Sequence, residues 1–257
     1  LSENVMTPAP NRTESSWCER LAWDSEFFGI EIGCLRTPRL SDEILQFADR
    51  WCAANAIDCL YFLGEADDAL SIRCAENSGF DMVDIRMTLA TPISPEERTV
   101  SMPDGVSIRP VLATDLVPLK AIARNSYRDS RFYVDGRFPV EKCDLLYETW
   151  LEQNCAGRSG VVLVAECEGR PAGYVACDAV DAVTGRISLI ASSIPGAGLG
   201  TALVNSACGW FRQQGFDRAH VVTQGRNVAA RELYQRCGFV TESVQLWFHR
   251  WFDGTSR

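Results

Sequence analysis

The chain has 257 residues, 46% of them hydrophobic, and a formal charge of −9 at pH 7, enough for one large domain or two small ones with a real core. The acidic balance argues against a protein that neutralises nucleic-acid phosphates, and no apolar run nears the roughly 20 residues of a membrane span; with no signal-peptide hydrophobic region, a cytoplasmic protein with no nucleic-acid or membrane partner is expected. Eleven cysteines show no CxxC spacing and only His220 and His249 accompany them, so reduced core thiols and no metal site are expected.

Residues 1–16 carry Pro8, Pro10 and several polar residues without periodicity and read as a loose arm. Trp23-Asp24-Ser25-Glu26-Phe27-Phe28-Gly29 forms an aromatic anchor before Ile30, Ile32 and Cys34, whose alternation predicts a strand. Ser41 is placed to cap a helix over Leu40–Asn55, with Ile44, Leu45, Phe47, Ala48, Trp51 and Cys52 on one face. Cys59–Leu63 predicts a strand and Ala69–Ser78 a helix; Gly79-Phe80 ends that helix and begins a strand through Leu89. Thr91–Gly105, with Pro92, Pro95 and Pro103, reads as an interdomain linker or a long crossover.

The pattern then starts again. Val106–Pro110 predicts a strand, and Thr114-Asp115 a cap for a helix with Pro118 in its tolerated first turn. Tyr127–Pro139 is aromatic, basic and aperiodic, hence a loop, whereas Cys143–Asn154 resumes helical spacing through Leu146, Tyr147, Trp150 and Leu151. Val161–Cys167 and Ala172–Ala179 predict a hairpin closed by Glu168-Gly169-Arg170-Pro171.

Ile187–Ala191 is an apolar run of strand length that leads into Ser192-Ser193-Ile194-Pro195-Gly196-Ala197-Gly198-Leu199-Gly200 and an amphipathic helix over Thr201–Gln214. Pro195 rules out a continuous helix, and the glycines let backbone amides turn toward one point. A helix opening there presents unpaired N–H groups and a positive dipole end, which suits a phosphate. The same glycines also serve a tight packed turn, and the loop by itself does not choose between the two. Ala219–Thr223 predicts a strand, Asn227 caps a helix through Cys237, Gly238-Phe239 ends it, and Val244–Phe252 predicts a final strand. Aligning Gly79-Phe80 with Gly238-Phe239 sets Ala75 against Tyr234, an echo that fits either a duplication or a common local pattern. The domain reading is an arm over 1–16, a first domain over 17–98 and a second over 99–257.

From Val106 to about Trp251 the chain resembles the GNAT superfamily of acetyl-CoA-dependent N-acetyltransferases. The likeness rests on Ile108-Arg109-Pro110 with Asp115, on Val164-Ala165-Glu166 and Gly173-Tyr174 of the hairpin, on Pro195–Gly200, and on Asn227 to Tyr234 with Gly238-Phe239. Pro195 departs from the Arg or Gln that usually begins the family loop and removes a side chain and one N–H. Trp23-Asp24 with Phe27-Phe28-Gly29, Ser130-Arg131-Phe132 with Tyr147 and Trp150, and Asn227-Val228-Ala229-Ala230 make the whole chain similar to members that acetylate the amino group of a nucleotide-linked deoxy sugar.

This resemblance implies the GNAT acyl-CoA N-acyltransferase fold, α/β (α+β), with a mixed central sheet flanked by helices and a smaller degenerate GNAT-like domain before it. It implies acetyl-CoA as co-substrate and no metal. Pantetheine would lie along Leu189, Ile190 and Ala191, the pyrophosphate on the amides of Gly196, Ala197, Gly198, Leu199, Gly200 and Thr201, with Asn227 also reaching the cofactor. Tyr234 would be the general acid for the departing thiolate, a role that suits a phenol of ordinary pKa about 10, protonated near neutrality. Arg186–Ala191 contains no carboxylate, so no general base is assigned; Glu166 and Asp178 are distant second choices.

Arg131, Phe132, Tyr133, Arg137, Tyr147 and Trp150 are the acceptor-site candidates, since arginine pairs bidentately with a diphosphate and aromatic faces cover a sugar or base. The expected partner is a small-molecule amine, foremost a nucleotide-linked amino sugar. A polyamine, aminoglycoside or peptide amine, or a non-catalytic CoA-binding or interaction module, are the alternatives, and a homodimer is compatible with the resemblance.

Overall fold

The computed structural model describes residues 17–96 and 102–252; the expected arm over 1–16 and the middle of the expected linker lie outside the described residues. The architecture is the expected mixed α/β. The described residues divide into two compact units, one made of 17–86, 130–142 and 244–252, the other of 87–96, 102–129 and 143–243.

In the first unit, β1 (Cys18–Arg20) runs antiparallel to β2 (Ile32–Leu35), β2 parallel to β3 (Cys59–Glu65), and β3 antiparallel to the end of β10 (Val240–Trp251). The aromatic anchor folds as α1 (Ala22–Phe28). Helix α2 (Asp42–Ala54) starts where the Ser41 hydroxyl accepts from the Ile44 amide, and α3 (Ala69–Asn77) where the Asp68 carboxylate accepts from Leu70 and Ser71. The predicted apolar face of α2, with Leu45, Ala48 and Cys52, packs with Ala75 of α3 against Leu60, Phe62 and Phe248 of the strands. The stretch expected to be a loop contains α5 (Arg131–Asp135). Five residues are too few to display a 3.6-residue period, which is why sequence pattern missed it.

The second unit holds β5 (Val106–Pro110), α4 (Leu116–Ser126), most of α6 (Val140–Gln153), β6 (Val161–Cys167), β7 (Arg170–Ala179), β8 (Thr184–Ser192), α7 (Leu199–Gln213), β9 (Arg218–Gln224) and α8 (Val228–Arg236). β4 (Asp81–Pro92) begins in the first unit and ends in this one. Strands β5, β6, β7 and β8 pair in that order, each antiparallel to the next, and β9 lies parallel to β8. The core joins Val175, Ile187 and Val221 of the sheet to Leu203, Val204, Ala207 and Phe211 of α7, with Tyr234 and Phe239. Phe211 is wholly buried, and burying such a side chain contributes about 1.5–3 kcal/mol. The amphipathic stripe of α7 therefore fixes how the glycine-rich loop before it meets β8.

Candidate active site

The arrangement starts in the hydrogen bonding of β8. Tyr174 lies opposite Ala191 and Ala176 opposite Leu189, and just beyond the ladder the Ser193 amide donates to the Ala172 carbonyl at 2.8 Å. In an antiparallel ladder hydrogen-bonded pairs alternate with non-bonded ones, so Leu189, Ala191 and Ser193 are bonded to β7, whereas Ile190 and Ser192 direct N–H and C=O away from it. On that other side β9 pairs with β8 only from Thr184 to Ile187, opposite Arg218 to Val221. Ser188 is an extra residue, because Leu189 faces Ala176 while Ile187 faces Cys177; such a bulge bends a strand. Beyond it β8 and β9 cease to pair, and the backbone of Ile190 and Ser192 lines the open edge.

The edge leads into the glycine-rich loop. Gly196 and Gly198 have φ of 79° and 76°, a region that costs other L-residues about 1–2 kcal/mol. Gly198 is the N-cap of the 15-residue α7, and the first helical bond runs from the Ala202 amide to the Gly198 carbonyl at 3.0 Å. The amides of Leu199, Gly200 and Thr201 precede that first donor and emerge at the positive end of the helix dipole. Leu199 buries its side chain in the core, so backbone alone is available from it. A Cβ on Gly200 would lie 2.9 Å from Leu233 Cδ2, which explains a glycine inside the helix: α7 and α8 approach closely there.

Helix α8 is capped as expected, with Asn227 Oδ1 accepting from the Ala230 amide at 3.0 Å. One turn and more along it, Tyr234 is buried and packs against Phe239 with ring centroids 5.9 Å apart. Burial, reinforced by Cys237, raises its phenol above the ordinary value, so Tyr234 carries its proton at neutral pH. The two carboxylates weighed as bases are already engaged. Glu166 accepts from Arg109 at 2.5 Å, and that bond holds its carboxyl below the usual range; Asp178 lies 3.4 Å from Arg186.

The sequence model of the acetyltransferase (GNAT) family matches residues 123–239, a stretch that contains β8, the glycine loop and Tyr234. A GNAT acetyltransferase domain spans it. The chain is thus an acetyltransferase enzyme, and the family of the matched domain uses acetyl-CoA as co-substrate. It is similar to the dTDP-fucosamine acetyltransferase of Escherichia coli O6:H1, 27% identical over 238 residues that make up 90% of this chain and 97% of the relative. It is also similar to the spore coat polysaccharide biosynthesis protein SpsD of Bacillus subtilis, 25% identical over 166 residues, 64% of this chain and 56% of that protein. A crystal structure of a GCN5-related N-acetyltransferase from Sphaerobacter thermophilus shares the fold, with a TM-score of 0.67 at 14% identity over 91% of this chain and 76% of that one. Among the described residues no group of three or more His, Cys, Asp or Glu could hold a metal ion, and no helix is long and apolar enough to cross a membrane.

Within the GNAT domain, two acceptor-site candidates come together. Tyr147 is buried and stacks on Tyr127 at 4.2 Å between centroids, and Trp150 meets the Tyr147 edge at 5.3 Å. Tyr127 itself was not singled out from sequence, nor was Tyr174 as a polar group. Their hydroxyls are 2.9 Å apart, and the Tyr127 hydroxyl lies 3.1 Å from the Ile190 carbonyl.

The remaining four candidates belong to the first unit. Arg131 is buried, its guanidinium 4.2 Å from the Trp247 ring centroid, 4.4 Å from Phe132 and 5.2 Å from Tyr61. It therefore offers covered cation–π contacts more than an open fork. Tyr133 is half-buried, while Arg137 is exposed, 5.6 Å from the Trp251 ring. Beside them Asp135 accepts from His249 Nδ1 at 2.5 Å and from Trp251 Nε1 at 3.1 Å, a buried polar group with no sequence signature.

Proposed function

We propose that the enzyme transfers acetyl directly from acetyl-CoA to the amino group of a nucleotide-linked amino sugar, with Tyr234 as general acid. The observation that carries the reading is the unpaired edge of β8 running into the glycine-rich N-terminus of α7, with a buried, protonated tyrosine on the neighbouring helix. Pantetheine lies strand-like beside Leu189, Ile190 and Ala191, and the loop amides from Gly196 to Thr201 hold the pyrophosphate. Asn227 keeps its side-chain amide nitrogen for the cofactor while its oxygen serves the cap.

In the reaction the neutral amine attacks the thioester carbonyl, the C–S bond breaks, Tyr234 gives its proton to the leaving sulfur, and the amine proton goes to water. The Ile190 N–H faces the edge where the carbonyl oxygen gains charge. Tyr147 and Trp150 are the acceptor-side residues proposed in the second unit; Arg131, Phe132, Tyr133 and Arg137 are acceptor candidates of the first unit, among which Arg137 presents an exposed guanidinium of the kind that pairs with a diphosphate. The names of the two sugar-related relatives support this acceptor class. The stretch over 17–98, which has no counterpart of the glycine loop, is read as a degenerate GNAT-like domain.

The test is acetyl-CoA-dependent thiol release screened against amino-sugar nucleotides, polyamines, aminoglycosides and peptide amines. Turnover confined to the sugar nucleotides is expected. Turnover with free amines alone would replace the acceptor class, and none with any amine would leave a CoA-binding module.

A further inference from the structure

We infer that Tyr127 is a positioning residue that sets the register of the thioester arm along β8; the inference rests on the proposed acetyl-CoA site. A carbonyl oxygen can only accept, so the contact at 3.1 Å is donated by the Tyr127 hydroxyl to Ile190. Tyr127 has then committed its one proton, and the 2.9 Å contact with Tyr174 must be donated by Tyr174. Tyr174 is wholly buried in β7, and the Tyr127 ring is stacked on Tyr147 at 4.2 Å. The hydroxyl is thus held from two sides at the carbonyl of one residue of the open edge.

The consequence is an asymmetry along that edge. Ile190 keeps its N–H as a donor, while the Tyr127 hydroxyl takes one of the two acceptor positions of its carbonyl and stands 3.1 Å from it. Ser192, two residues and roughly 6.5 Å further along the strand, directs both groups outward. A pantetheine amide needs a donor and an acceptor opposite it, whereas a thioester carbonyl needs a donor only. Tyr127 therefore makes Ile190 the place for the thioester and Ser192 the place for an amide of the arm. Moved by two residues, the arm would set an amide N–H against a carbonyl it must share with the Tyr127 hydroxyl. The same hydroxyl links α6, through Tyr147, to the strand that carries the reacting group.

Calorimetric titration of wild type, Tyr127→Phe and Tyr174→Phe with acetyl-CoA and with CoA tests this, since the two ligands differ only by the acetyl group. Wild type should prefer acetyl-CoA. Tyr127→Phe keeps the ring stack and should bind CoA as wild type does, while its preference for acetyl-CoA falls about threefold or more, the worth of one ordinary hydrogen bond. Tyr174→Phe should shift the preference in the same direction by a smaller factor, and it carries the test if Tyr127→Phe fails to fold. An unchanged preference, an equal weakening of both ligands, or a wild type that does not distinguish them would overturn the inference. Wild type binding neither ligand would overturn the proposed function itself, and the inference with it.

Discussion

Replacing Gly198 by alanine should separate a CoA cradle from a merely compact turn. Two costs add. At φ of 76° an alanine meets the left-handed penalty, about 1–2 kcal/mol. Its Cβ would also lie 2.9 Å from Pro103 Cγ, and forcing a methyl into an occupied space costs roughly another 1 kcal/mol. A total of about 2–3 kcal/mol corresponds to about a 30- to 150-fold loss of affinity if the loop must hold its conformation to bind. If the loop relaxes instead, its amides turn away and affinity is lost by that route.

Gly196, with φ of 79° and nothing within 4 Å of a built Cβ, meets only the first cost, so Gly196→Ala should lose about 5- to 30-fold. Gly209 in the same helix α7 also has nothing within 4 Å but no positive φ; Gly209→Ala should leave binding unchanged and stabilise the helix by about 0.5–1 kcal/mol. Titration calorimetry with CoA, alongside thermal melts, reads all three. Gly198→Ala binding CoA as tightly as Gly209→Ala would rule out the cradle.

Tyr234→Phe keeps the packing on Phe239 and removes the proposed acid, so steady-state kinetics should show kcat falling about 10²-fold or more with CoA affinity little changed; near-normal turnover would remove Tyr234 from the mechanism. Pro195→Arg should leave CoA binding within a few-fold of wild type, because the proposed recognition rests on amides from Gly196 onward; loss of binding by titration would contradict that. His249 should make the protein acid-labile. Burial, against the pull of Asp135, lowers its pKa from 6.5 to about 4, so the unfolded chain takes up that proton first. The stability is complete above pH 6.5 and is lost as pH falls from 6.5 toward 4, by at most about 1.4 kcal/mol per pH unit and about 3 kcal/mol in all. Burial alone would raise Asp135, but the hydrogen bonds from His249 and Trp251 outweigh it and hold the carboxyl below 3.8, which adds a further loss in stronger acid. Urea melts across pH should show one proton fewer in this slope for His249→Phe; an unchanged slope would refute the assignment.

What could be read in advance follows a physical division. Ser41, Asn227 and the glycines after helices act on backbone within a few residues of themselves, and the structure puts both serine and asparagine caps where the sequence suggested. The glycine loop is legible for the same reason, since two positive-φ positions and a helix start are local properties. The parting of β8 from β9 is not local. It depends on which residue of β7 faces Ile187, and no apolar pattern along β8 reports the bulge at Ser188. Polar pairings are further removed: Tyr127 meets Tyr174 across 47 residues and Ile190 across 63, Arg109 takes Glu166 across 57, and His249 reaches Asp135 across 114.

These pairings also change what the candidate residues can offer. Glu166, a distant second choice for a base in the sequence, is engaged by Arg109; the guanidinium of Arg131, an acceptor-site candidate, is covered by Trp247, Phe132 and Tyr61. Hydrophobic periodicity reports what a strand buries, and Leu189 and Ala191 obey it. The chemistry proposed for β8 depends instead on what the sheet leaves unpaired, the N–H of Ile190 and both backbone groups of Ser192. That remainder is fixed only after β7, β9 and the Tyr127 hydroxyl have taken their share of the strand.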